Sequence, residues 1–340
     1  MNKSILTILF ALLCLTQVQA QEIFNGLSKG PYRKIVDESD KITIPQFSIN
    51  FETFTETKVV VQEGKLSKLQ NVFEASSKGG QYAGNQRSSA RTTTVLSSEL
   101  ALADFQELAN DFQLILEEEI SKVGKTVVTL TELTKTEGYA KLAEKYSSRT
   151  ENKGKKNSEE SVGVGQIKML PENSLFLFDE KSLMKGGGVA FVTMMRNFNK
   201  ETGAVVMLNN IDVDFSTVEM NVSLDAGTRR SITTADTKVI PKMRISRNTF
   251  DFIGKGGSPS SAPVTLVSEY VSNNEYSAKV YKDAAKSKGL LEEIFAVGVP
   301  TIDFDPFIVE MSKDIYKEAA RDLFRQYAQD LAKALVAGRK

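Results

Sequence analysis

The chain has 340 residues and carries 43 basic and 43 acidic side chains, a balance that argues against nucleic acid or an anionic membrane surface as its main partner. It has no histidine, and Cys14 is its only cysteine. Ser-His-Asp and Cys-His catalytic sets, and zinc or iron sites with His or Cys ligands, therefore cannot be built from it. Carboxylate chemistry, Ser-Lys nucleophiles and oxygen-ligated Ca²⁺ or Mg²⁺ remain open.

The first twenty residues have the pattern of a secretory signal peptide. Lys3 supplies the positive start, residues 5–15 form an uninterrupted apolar run, and residues 18–20 (VQA) suit a signal peptidase. We expect cleavage between Ala20 and Gln21, which removes the only cysteine and leaves no disulfide. The apolar run is shorter than the ~20 residues that span a bilayer. The prediction is an exported mature chain without a transmembrane helix, located in the periplasm, at the outer membrane or outside the cell.

An irregular arm at residues 21–41 leads into residues 42–146, whose pattern predicts an α/β layer. Its predicted elements in chain order are strands at 42–51 and 53–62, a polar loop at 76–94, a helix at 104–123, a strand at 125–130 and a helix at 131–146. Asp104 and Glu107 are expected to form a capping box at the start of the first helix, and Gly124 to end it. The order helix, glycine, short strand, helix is typical of α/β folds.

Residues 147–166 are highly charged and predict a linker or loop. Residues 167–300 are rich in predicted strands, at 167–170, 175–178, 204–224, 239–252 and 264–270, with one helix at 189–199. After Ser216-Thr217 the apolar parity of the long strand shifts by one residue, which predicts a bulge or bend. Within the last part, 301–340, a long amphipathic helix is predicted at 306–336. The predicted fold class is α/β, or α+β, with a mixed sheet flanked by helices, a β-rich second half and a long C-terminal amphipathic helix.

Two glycine-rich segments, residues 185–188 and 254–258, are candidates for anion binding through backbone amides. Neither the phosphate-loop pattern nor GxGxxG occurs in the chain, so turns are the favoured interpretation of both segments. The pairs Ser121-Lys122 and Ser312-Lys313 are adjacent in sequence and do not have the SxxK spacing of a nucleophile in a helix. We therefore predict no catalytic residues, no cofactor and a protein that is not an enzyme.

Two groups of carboxylates are candidates for Ca²⁺ or acid–base chemistry. Asp212 and Asp214 alternate with apolar residues and so share one face of a strand, for which the polar face of a half-exposed strand is the favoured interpretation. Asp303, Asp305 and Glu310 also offer oxygen ligands, but Asp-Pro before a helix is typical of a helix cap. No metal site is predicted from either group.

The polar loop at residues 76–94 contains the best candidates for contact with a partner. These are an aromatic side chain, two amides and two guanidinium groups, which suit protein interfaces: Tyr82, Asn85, Gln86, Arg87 and Arg91. A disordered insertion fits the length of this loop equally well.

The order of predicted elements resembles a known family. A Thr- and Phe-rich strand, a long loop, the helix at 105–124, a short strand and a second helix are followed by a third helix that ends in Thr202-Gly203-Ala204 and continues into the strand at 205–215. This order resembles the periplasmic α/β domain of curli-secretion channel proteins and is similar to the amino-terminal domain of Tol-system propeller proteins. The resemblance covers residues 42–215.

The resemblance implies a non-enzymatic role in envelope assembly, secretion or scaffolding, with other envelope proteins or a second copy of the chain as partners. The alternative is a periplasmic binding module for a glycan, a peptide or Ca²⁺, suggested by the glycine-rich segments and by Asp212 and Asp214.

Overall fold

The computed structural model describes residues 23–27, 31–62, 65–70, 89–156, 165–177, 188–224, 232–259, 263–295 and 306–337. The described strands are β1 Phe24–Asn25, β2 Lys41–Glu52, β3 Phe54–Gln62, β4 Lys65–Gln70, β5 Ser89–Ser97, β6 Thr126–Val128, β7 Gln166–Met169, β8 Val205–Asp214, β9 Thr217–Leu224, β10 Ile232–Ile240, β11 Arg244–Ile253, β12 Val264–Leu266, β13 Tyr270–Val271, β14 Lys279–Lys282 and β15 Phe307–Glu310. The described helices are α1 Pro31–Val36, α2 Leu102–Lys122, α3 Leu130–Leu133, α4 Glu137–Lys156, α5 Gly188–Thr202, α6 Ala284–Phe295 and α7 Lys313–Val336. In these ranges no helix is both long enough and apolar enough to cross a membrane.

A central mixed sheet carries the fold, which confirms the predicted α/β class. Its strand order is β1-β12-β11-β8-β2-β6, with β13 also paired to β11 and β7 to β2. The long strand β2 runs parallel to β6 and β8, whereas β11 runs antiparallel to β8. Pro45, which cannot donate to a strand ladder, lies where the pairing of β2 with β8 shifts register between Thr43 and Gln46.

Both faces of the central sheet are covered by helices. On one face α2 and α7 pack in the larger core, where the rings of Phe112 and Phe324 stack at 4.0 Å between centroids. On the other face α4 and α5 pack in a second core that contains Val206 and Leu208 of β8. Because successive strand residues point to opposite faces, the first part of β8, Val205–Leu208, is apolar on both faces.

A second sheet and a hairpin complete the β structure. The second sheet has the order β14-β15-β5-β3-β4, in which β15 runs parallel to β5 and the other pairs are antiparallel. Strands β9 and β10 form an antiparallel hairpin. Its separation from β8 at Phe215-Ser216 confirms the bend predicted from the parity shift.

The predicted capping box of α2 is wrong in its residues. The helix begins one turn earlier, after Ala101, and Asp104 Oδ2 accepts a hydrogen bond of 2.9 Å from the Ala101 backbone N–H. Glu107 instead pairs with Lys317 and Arg321 of α7. The predicted end is confirmed, since Gly124 follows the helix with φ +84°.

Three other predicted boundaries are also corrected. Residues 147–156, predicted as linker, extend α4, because adding residues to an existing helix needs no new nucleation. Residues 307–310, predicted as helix, form β15, where Ile308 and Val309 are buried against β5, and α7 starts only after the cap residue Ser312. Residues 175–177 are not a strand, because the Leu175 and Leu177 N–H groups donate to Pro45 O and to the Gln46 side chain.

Candidate functional site

Two β-ribbons begin at the same end of the central sheet. One ribbon, β3 with β4 and β5, starts at Phe54, directly after β2 ends at Glu52. The other, β9 with β10, starts at Thr217, directly after β8 ends at Asp214. Since β2 and β8 are parallel, their carboxyl ends lie side by side, and both ribbons therefore start from neighbouring points.

The two ribbons are joined by threonine and serine hydroxyls near their bases. Thr92 Oγ1 of β5 lies 3.0 Å from Thr237 Oγ1 of β10. The Ser216 hydroxyl donates to Thr94 Oγ1 at 3.4 Å. Side chains at the base of one ribbon therefore contact the base of the other.

A buried charge cluster lies where the ribbons meet the sheet, and we define it as Glu52, Asp212, Asp214, Arg244 and Glu269. Arg244 Nε donates to Asp214 Oδ2 at 3.0 Å, and Arg244 Nη1 donates to both oxygens of Glu269 at 2.8 and 2.9 Å. The side chains of Arg244 and Asp214 are 4% and 0% exposed, so this pair is shielded from solvent. Burial opposes the charged guanidinium, but Asp214 and Glu269 hold the pKa of Arg244 above its ordinary value.

Glu52 is the buried acid that the end of β2 contributes to the cluster. It is 4% exposed, and its oxygens accept hydrogen bonds from Thr55 Oγ1 at 3.1 Å and Ser246 Oγ at 3.4 Å. Burial, and then the charges of Asp214 and Asp212, raise the pKa of Glu52 well above its usual range. The folded protein therefore favours the protonated form of this carboxyl.

Asp212 and Asp214 do not lie on the exposed polar face that the alternation predicts. They are 7% and 0% exposed. Asp212 accepts hydrogen bonds from Asn50 and from Arg247 Nε, the latter at 2.8 Å. Buried carboxylates are retained where cations and amides pair with them, and these partners come from β2 and β11, which the spacing within β8 does not reveal.

The predicted partner-contact residues fall mostly outside the described ranges. Tyr82, Asn85, Gln86 and Arg87 lie there, as do the predicted cleavage residues Ala20 and Gln21 and the acids Asp303 and Asp305. Arg91 lies in β5, where its backbone pairs with Lys58 of β3. The predicted loop 76–94 is therefore wrong over residues 89–94, where a run of threonines forms strand and Thr93 and Thr94 are buried.

The third member of the acidic group, Glu310, belongs to β15 and pairs with Lys286 and Tyr281. Within the described ranges, no group of three or more acidic, His or Cys side chains is arranged to hold a metal ion.

Sequence reasoning missed Glu52 and Arg244. Each of them has a sequence signal, because Glu52 ends a long apolar strand and Arg244 begins one. A charged residue at such a position is buried when another part of the chain covers the end of the strand. The sequence did not indicate their proximity, since they are far apart in the chain and meet only through the pairing of β2, β8 and β11.

Comparison with protein-family models, curated proteins and solved structures finds no match for this chain.

Proposed function

We propose that this protein is an exported, non-enzymatic component of the cell envelope that acts in assembly, secretion or scaffolding through contacts with other envelope proteins or with a second copy of itself. The signal-peptide pattern supports export. The order of elements that resembles curli-secretion and Tol-system domains supports a role in the envelope.

The observation that carries the proposal is the pair of β-ribbons at one end of the central sheet. The base of the β9–β10 ribbon is held on the core by Val218 and Val239, which lie opposite each other and are buried. Its other face carries exposed polar side chains, among them Glu219 and Lys238. A ribbon that is anchored at its base presents polar side chains and unpaired strand edges farther along its strands. Another protein chain can bind to such a surface or pair with such an edge.

The predicted contact residues extend this argument. Residues 71–88 connect β4 to β5, so Tyr82 and Arg87 belong to the connection between two strands of one ribbon. Tyrosine and arginine are the residue types that most often dominate binding energy at protein interfaces. We therefore assign the main contacts to this connection.

The first test is size-exclusion chromatography with light scattering on residues 21–340, with and without detergent, combined with a photo-crosslinking amino acid at position 82 in the native envelope. A discrete oligomer, or a specific crosslinked protein, supports the proposal. A monomer at all concentrations together with no crosslinked product contradicts it.

A variant with Tyr82→Ser and Arg87→Ser tests the assigned contacts. Losing two anchors of about 2 kcal/mol each removes about 4 kcal/mol in total and weakens an interface ~1,000-fold, so the oligomer or crosslinked complex is expected to dissociate. Arg325→Ser, an exposed arginine on α7, is the matched control and is expected to leave assembly unchanged.

The alternative function, a binding module for a glycan, a peptide or Ca²⁺, has lost part of its basis. Asp212 and Asp214, which suggested Ca²⁺, are paired with Arg247 and Arg244. The glycine-rich segment that begins at Gly254 keeps this alternative open, because it forms one wall of a cleft.

A further inference from the structure

A cleft of about 350 Å³ opens on the central sheet at the end opposite to the ribbons. It lies where β2 and β8 begin and β11 ends. Four segments line it: the α1–β2 connection, the last turns of α5, the start of β8 and the turn after β11. A volume of this size matches the lower range of small-molecule sites in proteins.

Hydrogen bonds between these four segments hold the cleft open in a defined shape. Asn199 of α5 is 4% exposed, and its Nδ2 donates to Ile253 O at 2.9 Å and to Gly254 O at 2.5 Å. The Lys255 backbone N–H donates to Glu38 Oε2 at 2.6 Å, and Ser39 Oγ donates to Gly203 O at 2.7 Å. The walls are thus tied to each other before any ligand binds.

The charge of the lining favours an anion. Three cations, Arg196, Lys200 and Lys255, line the cleft together with one carboxylate, Glu38. Three cations against one carboxylate give the lining an excess of positive charge, and the Glu38 carboxylate accepts the Lys255 backbone N–H. Ala204 and Val205 add an apolar surface, which suits a carbon skeleton better than it suits a bare inorganic ion.

We propose that this cleft binds a small organic anion, about the size of a hexose, through a carboxylate or phosphate group. The anionic group lies among Arg196, Lys200 and Lys255, and the carbon skeleton lies against Ala204 and Val205. This binding site is separate from the ribbons and goes beyond the assembly function proposed above.

Isothermal titration calorimetry on residues 21–340 tests the proposal with four probes: glucuronate, glucose 6-phosphate, neutral glucose and inorganic phosphate. We expect saturable binding of glucuronate or glucose 6-phosphate, and at least tenfold weaker binding of glucose and of inorganic phosphate. Binding of glucuronate and of glucose 6-phosphate to different extents identifies carboxylate or phosphate as the preferred group.

The variant Lys200→Gln with Lys255→Gln removes two cations while keeping the backbone hydrogen bond of residue 255. It is expected to weaken the preferred anion at least tenfold. Lys279→Gln, an exposed lysine on β14 outside the lining, is the control and is expected to bind like the unmodified protein.

Three results overturn the proposal: no heat with either organic anion at millimolar concentration, equal binding of glucose or inorganic phosphate, or equal losses in the cleft variant and in Lys279→Gln. Circular dichroism of each variant checks that a loss of binding is not a loss of fold. Because the ribbons are untouched, the oligomeric state is expected to be the same in all these proteins.

Discussion

Among single residues, Glu52 shows how the tertiary structure sets the chemistry of a side chain. Its carboxyl is covered by the ribbon bases and lies near two aspartates, so folding raises its pKa. In the unfolded chain the same carboxyl titrates near the ordinary glutamate value of about 4.3. The folded state therefore binds this proton more tightly than the unfolded state does.

Glu52→Gln is expected to stabilise the protein at neutral pH. The wild-type contribution of Glu52 is fully present below the unfolded pKa and is lost as pH rises toward the folded pKa, at about 1.4 kcal/mol for each pH unit between the two values. The amide of glutamine mimics the protonated carboxyl and does not titrate, so the variant keeps this contribution to stability as pH rises. Urea unfolding at pH values from 4 to 8 measures the free energy of unfolding of both proteins. The two values should be similar at pH 4, and the variant should become the more stable protein above pH 5.

Glu137→Gln is the control for this pH series, because the sign of its effect is opposite. The hydrogen bond and charge of Lys141 lower the pKa of Glu137. Any stability that Glu137 adds is present at neutral pH and is lost as pH falls. A Glu52→Gln curve parallel to wild type across the range contradicts the assignment of a raised pKa.

Arg244 and Arg247 are two arginines three positions apart with very different surroundings. The side chain of Arg244 is 4% exposed and that of Arg247 is 58% exposed, although each pairs with an aspartate of β8. Removing Arg244 leaves Asp214 as an uncompensated charge in the interior, whereas Asp212 keeps its hydrogen bond from Asn50 when the mostly exposed guanidinium of Arg247 is removed.

Arg244→Met is expected to reduce the free energy of unfolding by about 3–5 kcal/mol, and Arg247→Met by at most about 1 kcal/mol. Denaturant unfolding at pH 7 measures both. Similar losses in the two variants would show that Asp214 is not isolated from solvent. If Arg244→Met does not fold, recovery of folding by the added change Asp214→Asn would still identify the unpaired carboxylate as the cause.

At the scale of elements, the turn after β11 shows how a glycine permits close packing. Gly257 has φ +75°, and a Cβ placed on it would lie 2.3 Å from the Val192 carbonyl oxygen and 2.7 Å from the Arg196 nitrogen of α5. This close approach lets Arg196 donate to Gly256 O and lets the turn form a wall of the cleft. The neighbouring Gly256 has open space around its Cβ position.

Gly257→Ala is expected to destabilise the protein by at least about 1–2 kcal/mol, the cost of a left-handed backbone for a residue with a Cβ, plus the effect of the clash with Val192. Gly256→Ala is the matched control and should change stability by less than about 0.5 kcal/mol. Thermal unfolding compares the two. Equal melting temperatures would mean that the turn is not packed against α5.

The helices α2 and α7 are joined by both core and surface contacts. The stacked rings of Phe112 and Phe324 lie in the core, and Arg321 pairs with Glu107 and Asp111 at 2.7 and 2.6 Å near the surface. These contacts hold together α2 and α7, the two longest helices among the described residues, which come from distant parts of the chain. The two helices cover one face of the central sheet, and the ribbons start at the carboxyl ends of its strands β2 and β8.

At the scale of the whole molecule, the central sheet separates two regions. The charge cluster and the ribbon bases lie at the carboxyl ends of β2 and β8, and the cleft lies at their amino ends. The site proposed for an organic anion and the surface proposed for a protein partner therefore share no residues.

The sequence by itself determined the elements whose pattern is local. The periodicity of α2, the parity shift after Ser216-Thr217 and the β-branched content of β2 each depend on neighbouring residues, and the structure confirms these elements. Local pattern failed where a distant contact decides the conformation. Residues 307–310 form a strand because β5 offers a parallel partner, and Glu107, predicted to cap α2, instead pairs with Lys317 of α7.

Only the tertiary structure decided the sites. Asp212 and Asp214 look like an exposed polar face in sequence, because alternation alone does not show that both faces of β8 are covered. Glu52 and Arg244 lie far apart in the chain and meet only through the pairing of β2, β8 and β11. The cleft is lined by four separate segments. Sites of this kind form when strand pairing brings distant residues together, and that pairing depends on burial of the whole sheet rather than on any short stretch of sequence.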